Sequence, residues 1–600
     1  MEKLHCSSDR NFGKNSQVTG FMERFNLQVV RRFWSIAKTY WFGDEKWKAR
    51  GWLLLVVLLL LAYTGLSVVL NNKRGVLISS LSAQDQSRFW ETIFIFVGVL
   101  VLYAPIIAGY GYLRDRLGLE WRRWLSDRFI NNYFGDRAFY RLDRFYAEVD
   151  NPDQRIAEDI KSFTQESLKI LLTFVDSLLT VIAFSGVLWS ISHSLVGFLV
   201  LYALAGSIAA IFIFGKPLVR LNFEQLKREA NFRFSLVRIR ENAESIAFYQ
   251  GEEQEANHVK NRFQDAFDNY KHLLFWELSL NVVTNAYEFL PFILPALVVA
   301  PSVFAGEMEV GKVSEAQGAF MRVFFSLNVV VARLQSLTSF GAGINRLYEF
   351  SQYLEPELDS HTPEVIEGVN TQPRIQTEVA SYLHLEDVTL YTPNYRQTLV
   401  ENLSVELSPS QGLLVVGPSG CGKSSLLRAI AGLWDSGNGK IYRPALQDIL
   451  FLPPKPYAIA GTLREQLLYP ATETELDDTQ LKEILQRVNL PDLDERFDGM
   501  DAEDNWEEVL SLGEQQRLSF ARILINQPKY VILDEATSAL DIPNEQRLYR
   551  QLQETGITFL SVGHRDTLLA YHQKVLQLSE NHSWRLLSPE SMQQEISAST

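Results

Sequence analysis

The sequence predicts two domains of different fold class: an α-helical membrane domain of six spanning helices, then an α/β domain. Three observations lead to this prediction. Residues 51–70, GWLLLVVLLLLAYTGLSVVL, carry no charge, and about 20 such residues cross a bilayer core. Two later segments, YLHLEDVTLY and TLVENLSVEL, alternate as β-strands do. A third stretch runs from an apolar strand through a glycine-rich loop into an apolar-periodic helix, which is typical of α/β domains.

The charge of the chain is divided unevenly. There are 57 Lys and Arg against 71 Asp and Glu, a net charge of −14. About 18 basic and about 32 acidic residues lie from Gln376 onward, so the excess belongs almost entirely to the C-terminal part. An acidic domain argues against nucleic acid as a partner. The only cysteines are Cys6 and Cys421, which fits a domain facing the reducing cytosol.

Six segments of the N-terminal part are predicted to span a membrane. They cover about 51–72, 90–112, 169–192, 194–215, 273–303 and 317–340. A buried helix of a soluble protein is the alternative for the first segment, but unbroken apolarity on every face disfavours it. The last two segments are more polar. Their Asn281, Asn285 and Glu288 are expected to face a protein interior or a wet cavity.

Basic residues indicate the orientation of these spans. Residues 1–50, 113–168, 216–272 and those after 340 carry most of the Lys and Arg of this part. The positive-inside rule therefore places the N- and C-termini in the cytosol. Residues 113–168 and 216–272 are expected to be cytosolic extensions of the spanning helices. No targeting segment is apparent, which favours a bacterial plasma (inner) membrane over an organelle.

The predicted domain limits follow from composition. Residues 1–30 are predicted to be a flexible N-terminal tail, and residues 31–354 the transmembrane domain. Residues 355–380 form a polar linker with prolines and no periodicity. Residues 381–600 are predicted to be the α/β domain.

The decisive segment of the α/β domain is a phosphate-binding loop. An apolar strand, Leu413 to Val416, leads into GPSGCGKS and then a helix. This is the context that the G-x-x-x-x-G-K-S pattern requires, because loop N–H groups and a helix N-terminus then face the phosphates. Lys423 would reach the β- and γ-phosphates of ATP, and Ser424 would ligate Mg²⁺. The predicted ATP contacts of the loop are Gly417, Pro418, Ser419, Gly420, Cys421, Gly422, Lys423, Ser424 and Ser425.

An acidic pair ends a second buried strand, in YVILDEATSALD. Asp534 at the strand end could hold Mg²⁺, directly or through water. Glu535 is placed to polarise the attacking water. Alone, such a pair could be surface charge, but the phosphate loop favours the catalytic interpretation.

The segment LSLGEQQRLSFARIL lies between these motifs, and SALD and VGHR follow. In this order they resemble the nucleotide-binding domain of ABC transporters. The form LSLGEQQR is similar to the branch of peroxisomal fatty acyl-CoA transporters and of bacterial peptide and cobalamin transporters. DNPDQRIAEDI, ENAESIAFYQGEEQE and GTLREQLLYP resemble that branch's motifs too. The resemblance covers about residues 30 to 590 and implies an exporter-type six-span fold joined to an α/β P-loop nucleotide-binding domain with a helical subdomain.

The resemblance also implies roles for single residues. His564 would contact the γ-phosphate as a switch histidine and act in catalysis with Glu535. Ser511 and Gly513 would cap the γ-phosphate held by a second chain. Tyr391 would stack on adenine, although it could be only a strand-end aromatic. The further implied ATP-binding residues are Tyr391, Ser511, Gly513, Glu514 and Asp541.

Two departures from the family pattern stand out. The start of LSLGEQQR, here called the signature, corresponds to Leu-Ser-Gly-Gly-Gln in the family, and Leu512 and Glu514 replace a glycine and the glutamine of that pattern. In FLPPKPY, Pro454 replaces the glutamine that touches Mg²⁺, and proline lacks both a ligating side chain and an N–H. Because the other nucleotide residues are present, the sequence predicts a working ATPase with weakened Mg²⁺ coordination or altered coupling.

One membrane domain and one nucleotide domain make half a transporter. The implied composite ATP site needs two chains, and a homodimer in the lipid bilayer is the simplest solution. ATP hydrolysis would then drive transport of a bulky amphiphile: cobalamin, a peptide or a fatty acyl-CoA. A membrane-bound ATPase acting as a regulator or channel is the alternative. A soluble ABC protein of DNA repair or translation is disfavoured by the spans and the acidic domain.

Overall fold

A computed structural model describes residues 27–145, 152–329, 333–354, 373–473 and 475–599. The chain divides into two compact units, Met1–His361 and Thr362–Thr600. Most of the predicted N-terminal tail and most of the predicted linker lie outside the described residues.

Long helices build the first unit. Their bounds are Leu27–Trp41, Lys46–Ser82, Gln86–Phe134, Ala138–Phe145, Ile160–Ile191, His193–Ala210, Lys216–Glu241, Ala243–Tyr249, Glu252–Phe304, Gly311–Leu327 and Leu334–Leu354. The apolar runs become helices because only internal backbone hydrogen bonds can satisfy N–H and C=O groups within a bilayer. Phe94, Leu201 and Phe212 are exposed on this unit, as lipid-facing side chains would be.

Four helices are long and apolar enough to cross a membrane: Lys46–Ser82, Gln86–Leu142, Pro152–Ile191 and Glu252–Phe304. The predicted fourth span is a shorter apolar helix, His193–Gly206. The predicted sixth span is divided between the helices Gly311–Leu327 and Leu334–Leu354, and residues 330–332 are outside the described part. The first unit is thus a membrane domain of several apolar helices, and the count of six spans stays a prediction.

The second unit contains two sheets. One has four strands in the order β1-β5-β2-β3, and the other has six in the order β10-β9-β4-β8-β7-β6. The strands are β1 Gln376–Val379, β2 Leu383–Tyr391, β3 Thr398–Leu407, β4 Gly412–Val416, β5 Gly437–Arg443, β6 Ile449–Leu452, β7 Tyr530–Asp534, β8 Thr558–Val562, β9 Lys574–Leu578 and β10 Trp584–Leu587. Strands β9, β4, β8, β7 and β6 pair in parallel. Their carboxyl ends therefore share one edge, where ligands of open α/β sheets bind.

Helices cover the six-stranded sheet and form a helical subdomain. Their bounds are Lys423–Ile430, Leu463–Leu468, Asp478–Arg487, Leu493–Arg496, Trp506–Val509, Leu512–Asn526, Ile542–Glu554 and Pro589–Ser599. One apolar core joins Leu485, Trp506 and Phe520 of these helices to Val531 and Phe559 of the sheet. The first strand, β1, lies inside the predicted linker 355–380. All four of its residues are exposed. A strand without a buried face lacks the alternation of apolar and polar residues by which a sequence reveals a strand.

Candidate functional site

The glycine-rich loop follows β4 at the carboxyl edge of the parallel sheet. Gly417, Gly420 and Gly422 have φ values of 149°, 84° and 101°, which residues with a Cβ rarely adopt. A Cβ on Gly417 would also lie 2.4 Å from the Leu578 carbonyl oxygen. Lys423 Nζ donates to the carbonyl oxygens of Gly417 and Pro418, each at 2.8 Å. The loop thus holds the lysine ammonium beside its own backbone, where phosphates would lie.

Ser424 and Asp534 meet at this edge, because β4 and β7 both flank β8. The Ser424 hydroxyl donates to Asp534 Oδ1 at 3.1 Å. Burial raises the pKa of Asp534, although the hydrogen bond from Ser424 opposes the shift. A hydroxyl and a carboxylate oxygen are ligands that suit Mg²⁺, which usually takes one or two carboxylates plus phosphates. These two residues could therefore hold the ion, which would neutralise charge on the phosphates when bound.

Glu535 and His564 lie beside this pair. His564 Nε2 is 3.2 Å from Glu535 Oε1, and both side chains are accessible to solvent. Glu535 has a φ of 50°, and its N–H donates to the Val562 carbonyl at 3.1 Å. A non-glycine residue held at positive φ is strained, and such strain clusters at functional sites. The arrangement can place a carboxylate and an imidazole against one reacting group.

The signature segment forms the start of the helix Leu512–Asn526. Ser511 is its N-cap, with Ser511 and Glu514 forming a reciprocal capping box. Arg496 Nη1 also donates to Glu514 Oε1 at 2.6 Å. Burial alone would raise the pKa of Glu514, but the hydrogen bonds from Arg496 and Ser511 outweigh it and lower the pKa. In this chain the glutamate thus caps the helix, and its implied contact with ATP stays a prediction.

The remaining predicted residues lie at other loop ends. Asp541 caps the helix Ile542–Glu554 by accepting from the Asn544 N–H at 3.1 Å. A Cβ on Gly513 would be 3.2 Å from the Ala539 carbonyl oxygen, so the signature and the loop before Asp541 pack closely. Tyr391 ends β2, and its ring centroid is 5.7 Å from that of Tyr395. The structure brings the phosphate loop, the acidic pair and His564 together, and no described contact joins Ser511 or Tyr391 to them.

Gln516 is a residue that the sequence did not single out. Its side chain is fully buried and donates to the Pro454 carbonyl at 3.0 Å and to Ser538 Oγ at 3.2 Å. Its Oε1 accepts from the Ala539 N–H at 3.0 Å. One side chain thus joins the signature helix, the loop of Pro454 and the loop after the acidic pair. No signal in the sequence marks it, because the same helix also buries the polar residues Gln515, Ser519 and Arg522.

Comparison with known families decides what this arrangement belongs to. A family model described as ABC transporter transmembrane region 2 matches residues 36–304, and one described as ABC transporter matches residues 400–538. An uncharacterized ABC transporter ATP-binding protein of Synechocystis sp. is 47% identical over 89% of this chain and 81% of its own length. The chain belongs to the ABC transporter family.

Two further relatives place the transporter within the family's D branch. An ABC transporter D family member 2, chloroplastic, of Arabidopsis thaliana is 38% identical over 93% of this chain and 88% of its own length. A lysosomal cobalamin transporter of Homo sapiens is 32% identical over 95% of this chain and 98% of its own length. The chain is accordingly an ATP-binding ATPase coupled to transport, with its membrane domain and its ATPase domain fused in one polypeptide.

Proposed function

We propose that two copies of this chain form a homodimeric transporter that uses ATP hydrolysis to move a bulky amphiphile across a bacterial plasma membrane. Six spans per chain would alternate access to the substrate, with both termini in the cytosol. The substrate class is that of cobalamin, peptides or fatty acyl-CoA. The relative named as a lysosomal cobalamin transporter and another named as an inner membrane ABC transporter ATP-binding protein of Escherichia coli support this choice.

One observation carries the proposal: the Ser424–Asp534 and Glu535–His564 pairs lie together at the edge beyond the phosphate loop. In the proposed reaction Lys423 and the loop amides bind the β- and γ-phosphates. Ser424 and Asp534 would hold Mg²⁺, as in other P-loop ATPases. Glu535 accepts hydrogen bonding from the attacking water and polarises it, and His564 contacts the γ-phosphate. Phosphate release would then return the dimer to its starting state.

The test uses the full chain in phosphatidylcholine vesicles with labelled cobalamin or palmitoyl-CoA. Glu535→Gln should lower ATP turnover about 10²- to 10⁴-fold, the usual contribution of a positioned base, while ATP still binds. ATP-dependent movement of the substrate should be lost in parallel. Glu554→Gln, a change of an exposed side chain in the same unit, should keep both activities.

The opposite result is equally clear. If the wild-type protein hydrolyses ATP but moves neither substrate, the channel or regulator alternative gains support. If Glu535→Gln hydrolyses ATP at the wild-type rate, the catalytic assignment is wrong.

A further inference from the structure

Arg322 is a charged residue of the membrane domain whose own side chain is exposed. It lies on the helix Gly311–Leu327, whose residues Ala319, Phe320, Val323 and Phe324 are buried in an apolar cluster. The sequence predicts that part of this helix lies in the membrane, where a guanidinium is costly and ionisable residues usually mark a substrate or ion pathway. The side chains around Arg322 therefore indicate which kind of ligand it would bind.

Two tyrosines from two other helices approach this guanidinium. Arg322 Nη1 lies 3.4 Å from the Tyr63 hydroxyl, and Tyr63 is near the middle of the helix Lys46–Ser82. The ring of Tyr103, on Gln86–Phe134, is 5.2 Å from that of Tyr63, and its hydroxyl interacts with Arg322. The guanidinium donates to the Tyr63 hydroxyl, so two helices bring tyrosine hydroxyls to the arginine of a third.

No carboxylate of the described residues is close enough to Arg322 to form an ion pair. None of those residues has a carboxylate oxygen within 4.0 Å of the Arg322 guanidinium nitrogens. Asp176, on the helix Ile160–Ile191, interacts with Arg322 electrostatically, but its buried Oδ1 has no hydrogen-bond partner. A guanidinium that contacts only neutral hydroxyls and has no carboxylate within ion-pair distance is suited to an anion from outside the chain.

The position of Arg322 relative to Tyr63 is fixed by close helix packing. A Cβ on Gly311 would lie 1.8 Å from the Gly75 carbonyl oxygen, so the two backbones are in contact there. The Gly311 N–H donates to Ser79 Oγ at 3.0 Å. Asn71 Nδ2 donates to the Glu315 carbonyl at 2.9 Å. Arg322 and Tyr63 are therefore held in place before a ligand arrives, which favours tight binding.

We propose that Arg322, Tyr63 and Tyr103 form a binding subsite for a phosphate or carboxylate group of the transported amphiphile. This inference rests on the proposed transport function and narrows it: neutral amphiphiles are poor substrates. The Asp176 carboxylate competes with the substrate anion for the guanidinium. An anionic lipid headgroup carries the same chemistry, so the test has to separate these two sources.

The experiment compares palmitoyl-CoA with palmitoyl-pantetheine, which has the same thioester and tail but no phosphates. Binding is measured to the full chain in phosphatidylcholine nanodiscs. Wild-type protein should prefer palmitoyl-CoA. Arg322→Gln should weaken its binding roughly 10- to 100-fold, the effect of losing hydrogen bonds to a charged group, and leave palmitoyl-pantetheine unaffected. Arg322→Lys should lose less, and Asp176→Asn should bind palmitoyl-CoA more tightly.

Controls separate binding from folding. Arg74→Gln changes an exposed arginine that donates to Ser314 on the same helix pair, and it should bind as wild type does. Tyr63→Phe removes one hydroxyl only and should weaken palmitoyl-CoA binding alone, at an unchanged melting temperature. Equal binding by Arg322→Gln and wild type overturns the proposal, as does a wild-type protein that does not distinguish the two ligands.

Two further arms complete the test. If phosphatidylglycerol in the nanodisc abolishes palmitoyl-CoA binding, the subsite belongs to a lipid headgroup and the proposal is overturned. If the wild-type protein distinguishes the ligands but moves neither with ATP, the transport function fails while the anion subsite stands.

Discussion

Pro454 contributes its backbone carbonyl rather than a side-chain ligand, since that carbonyl accepts from Gln516. Pro454→Gln keeps this carbonyl and adds a side-chain oxygen, so the hydrogen bond to Gln516 should survive. We expect the Mg²⁺ concentration for half-maximal ATPase activity to fall up to about 10-fold, the lower range for groups around a metal. ATPase activity is measured against Mg²⁺ concentration. Pro453→Gln, at the exposed neighbouring residue, should leave the curve unchanged, and unchanged Mg²⁺ dependence and turnover in Pro454→Gln would refute the prediction.

Single residues differ in how well the sequence predicts them. Lys423 and Ser424 are predictable because phosphate binding needs fixed spacing between a strand and a helix N-terminus, and Asp534 is predictable because it ends a buried strand. Gln516 and Arg322 are not, because no local pattern marks them and their partners are brought to them only by the fold. Glu514 is an intermediate case: its spacing from Ser511 is that of a capping box, but the bond to Arg496 depends on the fold.

The signature helix, Leu512–Asn526, joins the helical subdomain to the edge of the sheet where Glu535 lies. Gln516 makes this connection through its hydrogen bonds to the loops of Pro454 and Ser538. Gln516→Met keeps the approximate volume but leaves the Pro454 carbonyl and the Ala539 N–H without this partner. We expect the domain to lose about 1 to 3 kcal/mol of unfolding free energy, the cost of unsatisfied polar groups. Thermal unfolding of the full chain measures this loss, with the exposed Gln594→Met as control. A melting temperature equal to that of the control would mean that Gln516 joins the loops without stabilising them.

The segment that precedes β9 contains a buried histidine. His572 lies against Phe559 and Tyr549, with ring centroids at 5.0 and 5.7 Å, and its Nδ1 is 2.7 Å from the Leu568 carbonyl oxygen. Burial lowers the pKa of His572 from 6.5 to about 4. Below pH 6.5 the unfolded chain therefore binds a proton that the folded chain does not, and stability falls as pH falls toward 4.

We expect His572 to remove about 2 kcal/mol of unfolding free energy between pH 7 and pH 5. His572→Gln should flatten this part of the pH dependence, although its stability at pH 7 is lower. Melting temperatures of both proteins across pH 5 to 7 measure the difference. His582→Asn is the matched control, because asparagine tolerates the φ of 65° at that position and should keep the wild-type slope. A slope that persists in His572→Gln would assign the acid sensitivity to other groups.

For the whole molecule, the sequence predicts the order of the two domains, because a long apolar run and a strand–loop–helix pattern have different periodicities. It predicts span limits less well. Gly311–Leu327 has 17 residues and ends before residues 330–332, whereas hydropathy alone joins it to the next helix. The short strand β1 is invisible to sequence patterns because it gains its place only by pairing with β5.

The composite ATP site makes a prediction about the dimer. If the signature of one chain completes the phosphate loop of the other, a heterodimer of Lys423→Ala and Gly513→Asp chains has one intact site. The second site carries both defects, because the loop without the lysine meets the signature with the aspartate. The aspartate is a defect because it places negative charge against the phosphates. Heterodimers isolated with two different affinity tags should hydrolyse ATP at about half the wild-type rate if the sites are independent. Both homodimers should be inactive.

A heterodimer of wild type with the double variant Lys423→Ala/Gly513→Asp reverses the logic. In the composite arrangement each of its sites receives one defect, so it should be inactive. If each chain instead built a complete site from its own loop and signature, this second heterodimer would keep one intact site and the first would have none. The two heterodimers thus give opposite results under the two arrangements. Activity in the second and not in the first would contradict the homodimer with shared sites and leave each chain as an independent ATPase.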